Sequence, residues 1–287
     1  MELFSPNVTL VPLLISAGWV LVITVVGLLT YGYVLDRVAF AGGGRVRPEW
    51  FGRLDTATAL VLGLFFAALS LQGFRNPGGG ADAGSSSLSE LPGPLVIVST
   101  VLLTEVVFLG LVGAIVFALH CGKQRWWVSL GLGSVRPLPD AGRAVGLVTL
   151  AFPLVFVTLL VWRALLASKG YTDDSTQDVV KLLAESKSSV TRWVVSVQAV
   201  LLAPAQEEII FRGYIYGVAR RHLGVVPALL ISSLLFAGIH VHLPSFAGLF
   251  VLACCLALAY EWTGSLLVPI AMHALFNLST VAQLLAR

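Results

Sequence analysis

The stretch LVPLLISAGWVLVITVVGLLTYGYVL, residues 10–35, holds 26 residues and no charged side chain. A helix rises about 1.5 Å per residue, so about 20 apolar residues cross the roughly 30 Å of a bilayer's hydrocarbon. This run is long enough to span a membrane. Further apolar stretches follow at 56–74, 94–119, 144–166, 193–218, 226–241, 245–261 and 266–285, the sixth and seventh spans being short. Over all 287 residues 57% are hydrophobic and 11% charged, with a mean hydropathy of +0.91. A soluble domain carries about 25% charged residues. The expectation is an all-α, polytopic membrane protein of about eight transmembrane helices, an integral multi-pass protein of the plasma (inner) membrane with the lipid bilayer as its solvent.

The same numbers exclude other classes. A net charge of +3, with Lys and Arg scattered over the loops, makes no nucleic-acid footprint. Cys121, Cys254 and Cys255 form no CxxC pair and no even framework, so neither disulfides nor a thiolate metal site is indicated. Ala39-Phe40-Ala41 has the look of a signal-peptidase site, but the run before it exceeds a signal h-region and is preceded by Glu2 and no Lys or Arg. A retained anchor is expected. Asn76-Pro77-Gly78-Gly79-Gly80 and Ser85-Ser86-Ser87 read as a mobile linker. Within 167–192, Asp178, Lys181, Glu185 and Lys187 punctuate Val179, Val180, Leu182 and Leu183, the pattern of an amphipathic helix at the membrane surface.

Basic residues gather on alternate loops: Arg37, Arg45, Arg47 and Arg53, then Lys123, Arg125, Arg136 and Arg143, then Arg220 and Arg221. The positive-inside rule puts these loops in the cytoplasm and both termini outside. The loop holding Lys169, Lys181, Lys187 and Arg192 runs against the trend.

An ionisable side chain at bilayer depth costs about 2.5–3.5 kcal/mol on insertion scales, so each requires a reason. Most lie in the last hundred residues: Glu207-Glu208-Ile209-Ile210-Phe211-Arg212, Phe236-Ala237-Gly238-Ile239-His240 and His273-Ala274-Leu275-Phe276-Asn277. Glu208 and Arg212, four apart, share a helix face and can neutralise each other. Glu207 is turned about 100° away and is left free. His273 and Asn277 share a face, as do Phe236 and His240. Pro204 and Pro269 each remove a backbone bond near this cluster, and both helices are expected to open there. Any one of these polar residues reads equally well as interhelical glue; the set of two acids, two His and an Asn does not.

The three motifs, in this order, resemble the CPBP family of intramembrane proteases, the type II CAAX prenyl endopeptidases and Abi-like proteins, whose pattern is EExxxR, FxxxH and HxxxN. The resemblance covers about 190–285, and it divides the chain into N-terminal helices with the surface helix (1–189) and a catalytic core (190–287). It implies an endopeptidase without a covalent intermediate, cutting a membrane-associated protein or peptide near its C-terminus. Glu207 and His240 would activate the attacking water, His273 and Asn277 would stabilise the oxyanion, and Glu208 with Arg212 would be the structural pair. A carboxylate in a desolvated setting suits a base near neutrality, and amide donors suit an oxyanion.

Zinc is the competing chemistry, with Glu207, His240 and His273 as ligands and His242 nearby, but HExxH is absent and Asn277 fits an oxyanion hole better than a zinc shell. No cofactor is therefore expected. Glu105, Tyr214 and Phe236 are candidates to line the cavity. A proton-coupled transporter would need relay groups spread across the membrane, whereas these cluster in the last four spans. A non-catalytic scaffold or immunity protein would not need all four catalytic positions. With Glu207 about 20 Å from both Trp193 and Arg220 at 1.5 Å per residue, the site is expected near mid-membrane, opening away from the basic loops.

Overall fold

The computed structural model describes residues 10–75, 93–122, 125–171, 178–186 and 188–286. The linker at 76–87, Lys123 and Lys187 lie outside them. Among the described residues all regular structure is helical. The helices are α1 (Leu10–Ala39), α2 (Arg53–Arg75), α3 (Pro94–Cys121), α4 (Trp126–Ser129), α5 (Pro137–Ser168), α6 (Asp178–Glu185), α7 (Ser189–Val197), α8 (Ala203–Glu208), α9 (Gly217–Leu223), α10 (Val225–Ile239), α11 (Leu243–Thr263) and α12 (Leu267–Leu285).

Among the described residues seven runs are long and apolar enough to cross a membrane: Ala17–Ala39, Arg53–Arg75, Leu95–Cys121, Pro137–Ser168, Ser189–Leu223, Leu243–Thr263 and Leu267–Leu285. The eighth apolar helix, α10, has 15 residues. The chain is thus an all-α, multi-pass membrane protein. α5 starts seven residues before the apolar stretch read from sequence. Asp140 explains this: its Oδ2 accepts from the Arg136 N–H at 2.8 Å and its Oδ1 from Arg143 Nη1 at 2.9 Å, so charges that read as loop cap the first turn. Lipid-facing helices expose Leu, Val and Phe, as an apolar solvent permits. α11 is the central helix, with α1, α5, α10 and α12 around it, while α3 is peripheral and buries only a few residues, Ile97, Glu105, Ile115, Ala118 and Leu119.

The basic loops meet at one end of the bundle. Thr56 Oγ1 pairs with His222 Nε2 at 3.0 Å, Arg45 N–H donates to Glu261 O at 2.8 Å, and Leu266 N–H to Gly131 O at 3.2 Å. Buried Glu261, which takes Tyr216 Oη at 2.6 Å and Arg220 at 3.4 Å, anchors this end. α10 starts there and ends 15 residues later at His240. The turn that follows is tight: Val241 has a φ of +46°, costly for a β-branched residue. It fits against Gly73, where a Cβ would collide with the Val241 methyls. Trp162 Nε1 holds the Leu243 carbonyl at 2.8 Å. α6 is helical as expected, and its Leu183 is buried with Val195, Ile97 and Val281, so α6 is docked on α7 and α12.

Candidate active site

The run Ser189–Leu223 is one continuous helix with two widened segments, Gln198–Leu202 and Ile209–Tyr216, on either side of α8. The first has a local cause. Ala203 N–H bonds the carbonyl of Gln198, five residues back. In that register the next donor would serve Ala199, but it is Pro204, which has no N–H. The Asn277 amide on α12 supplies the missing donor, Nδ2 to Ala199 O at 2.8 Å. The helix therefore opens at Pro204, as expected. Pro269 differs: it stands in the first turn of α12, where no intrahelical donor is needed, and opens nothing.

Glu208 and Arg212 pair at 2.8 Å with both side chains wholly buried. Arg212 also donates from Nη2 to Ala253 O at 3.2 Å and lies 4.4 Å over the Phe236 ring. His273 bonds through Nδ1 to the same Glu208 oxygen at 2.9 Å. A carboxylate accepts, so Nδ1 carries the proton and Nε2 turns outward, 3.9 Å from Glu207 Oε2. Glu207 keeps 13% of its side chain exposed and is not engaged by Arg212. One acid is neutralised inside the protein and its neighbour faces outward.

His240 closes α10 as its C-cap and donates from Nδ1 to Phe236 O at 2.8 Å, which leaves its Nε2 edge unbonded among the described residues. Its ring lies tilted against Phe236 with centroids 4.9 Å apart, and His273 meets the same ring edge-on at 5.6 Å. Phe236 is wholly buried, so it is the floor on which Arg212, His240 and His273 rest and not a cavity wall. Glu207 is brought to His273; His240 joins the cluster through Phe236.

Tyr214 does not line the Glu207 face. Its hydroxyl reaches Asp55 at 3.3 Å and its ring packs edge-on to Phe51. The widened turns after Glu208 advance less per residue than a regular helix, so the seven-residue spacing loses its register. Glu105, on α3, accepts from Gln206 Nε2, next to Glu207. Sequence reasoning missed Gln206, although a Gln beside two acids inside a span was a visible signal. His242 pairs with Ser245 Oγ at 2.8 Å. Among the described residues no three His, Cys, Asp or Glu side chains are grouped closely enough to hold a metal ion.

Residues 189–279 match the family model described as Type II CAAX prenyl endopeptidase Rce1-like. The matched segment runs from the start of α7 into α12 and contains all three motifs. It agrees with the resemblance the motifs carry and supports a CAAX-type intramembrane protease in general. Comparison with curated proteins and with solved structures gives no match.

Proposed function

We propose that the chain is a glutamate-dependent intramembrane endopeptidase that hydrolyses a peptide bond near the C-terminus of a membrane-associated substrate. The observation that carries this reading is the division of labour between adjacent acids. Glu208 is consumed by Arg212 and His273. Glu207 is left outside that pair, its Oε2 3.9 Å from His273 Nε2 and open to a water molecule.

In this reading water attacks the scissile carbonyl carbon while Glu207 takes its proton, and the lone pair on His240 Nε2 orients the same water. The carbonyl becomes a tetrahedral oxyanion. The second N–H of Asn277, the first being held by Ala199, donates to it; His273, its proton held on Nδ1 by Glu208, has no N–H to add. Glu207 then returns its proton to the amide nitrogen as the C–N bond breaks, leaving an acid and an amine. Donors aimed at such an oxyanion are each worth about 2.7–4 kcal/mol of barrier. No step is routed through a metal. The Glu105–Gln206 bond ties α3 to the helix that carries the base, and Glu105 acts by positioning.

The test uses the purified full chain in proteoliposomes with fluorogenic peptides ending in a CAAX sequence, farnesylated or bare. Cleavage by the wild type that vanishes in Glu207→Gln, with an unchanged unfolding temperature, supports the reading. Cleavage that persists in the variant rejects it. The farnesylated and bare arms separate a prenylated substrate from a plain peptide tail.

A further inference from the structure

A crevice of about 810 Å³ opens at the basic end of the bundle, far along the fold from Glu207. Its walls are the segment after α1, the turn before α5 and the end of α11. These walls are fixed to one another: Arg45 N–H to Glu261 O at 2.8 Å, Leu266 N–H to Gly131 O at 3.2 Å, and Ser265 Oγ to Asp140 at 2.7 Å. Gly264, at φ +66°, lets the Arg45 backbone come close; a Cβ there would stand 2.9 Å from that of Arg45.

Arg45, Arg47 and Arg136 line the crevice, against Glu49 as its one acidic residue. Three other arginines are ion-paired among the described residues: Arg143 with Asp140, Arg212 with Glu208 and Arg220 with Glu261. The guanidinium groups of Arg45, Arg47 and Arg136 make no ion pair or hydrogen bond among the described residues. Three exposed cations on one fixed frame, with one opposing carboxylate, offer an anion several donors at once. The guanidinium fork matches phosphate oxygens two at a time.

The surroundings identify the anion. The crevice sits where α1, α5 and α11 end, at the boundary of the apolar spans. Beside Arg136, Leu138 is 87% exposed, and Val145, two turns further on the same face of α5, is exposed as well. A soluble anion has no use for such a stripe. An acyl chain below a phosphate does. Basic pockets between helices at the cytoplasmic surface bind lipid headgroups by this combination. We infer that the Arg45–Arg47–Arg136 crevice is a binding site for the phosphate headgroup of an anionic glycerophospholipid, whose acyl chain lies along the outer face of α5.

The test is lipid retention by the full-length protein, read by native mass spectrometry after titration with phosphatidylglycerol or phosphatidylcholine. The wild type retains phosphatidylglycerol at concentrations about tenfold or more below phosphatidylcholine, and Arg47→Gln/Arg136→Gln erases the difference, as removal of two surface cations predicts. A preference that survives the double variant overturns the proposal. So does equal retention of both lipids, or thermal protection by inorganic phosphate equal to that by the lipid. Should the double variant fail to accumulate, Glu49→Gln removes the opposing carboxylate and tightens phosphatidylglycerol retention; unchanged retention there overturns the proposal too.

Discussion

Asn277 Nδ2 donates to the Ala199 carbonyl at 2.8 Å, the acceptor that Pro204 leaves open in the widened turn. This bond ties α12 to the entrance of the helix bearing Glu207, so Asn277 has a structural duty as well as its proposed catalytic one. The two separate in a double-mutant cycle. Asn277→Ala alone lowers stability by about 1 kcal/mol, since it strands a half-buried acceptor. In a Pro204→Ala background the restored N–H serves Ala199, and the same change costs less while activity stays lost. Equal thermal shifts in both backgrounds contradict this account.

Glu208→Ala acts on folding first. It leaves Arg212 as an unpaired charge with no exposed surface, a loss of about 3–5 kcal/mol for a buried pair. The expected outcome is low folded yield, partly recovered in Glu208→Ala/Arg212→Leu. Full accumulation of the single variant, measured by fluorescence-detected size exclusion, contradicts it.

The side from which the site is reached follows from the short α10. The basic loops converge at one end, and the His240–Leu243 turn faces away from them. Val241 is 40% exposed in that turn, and Cys121, an exposed free cysteine, ends α3 near the basic end. In intact cells a membrane-impermeant maleimide is expected to label Val241→Cys and to spare Cys121. Labelling of Cys121 alone inverts the orientation and opens the site to the cytoplasm.

Metal dependence has a direct reading. Active protein is expected to carry well under one zinc per chain by elemental analysis and to keep its activity in chelator. Stoichiometric zinc lost together with activity assigns the metalloprotease chemistry instead.

The spans were legible because hydropathy is local: 18 or more apolar residues announce a helix wherever it packs. The Glu208–Arg212 pair was legible for the same reason, as both partners sit on one turn. What could not be read depends on partners distant in sequence. Asp55 lies at the head of α2 and reads as loop charge, yet it receives Tyr214. Glu261 reads as the polar end of a span, yet it is wholly buried under Tyr216 and Arg220. The widened turns escape sequence reading because Pro204 marks one break but nothing marks the second, and that second break carries Tyr214 off the Glu207 face. His240 and His273 share one aromatic ring only once α10 and α12 are placed.

The central claim is that Glu207, not its neighbour, is the base. The most direct measurement is the single-turnover cleavage rate of a CAAX-ending peptide by Glu207→Gln and by wild type, both purified, reconstituted and matched for unfolding temperature. Loss of a general base together with its water-orienting oxygen predicts a fall of at least about 100-fold. A Glu207→Gln rate within a few-fold of wild type, on protein that is as well folded, contradicts the account.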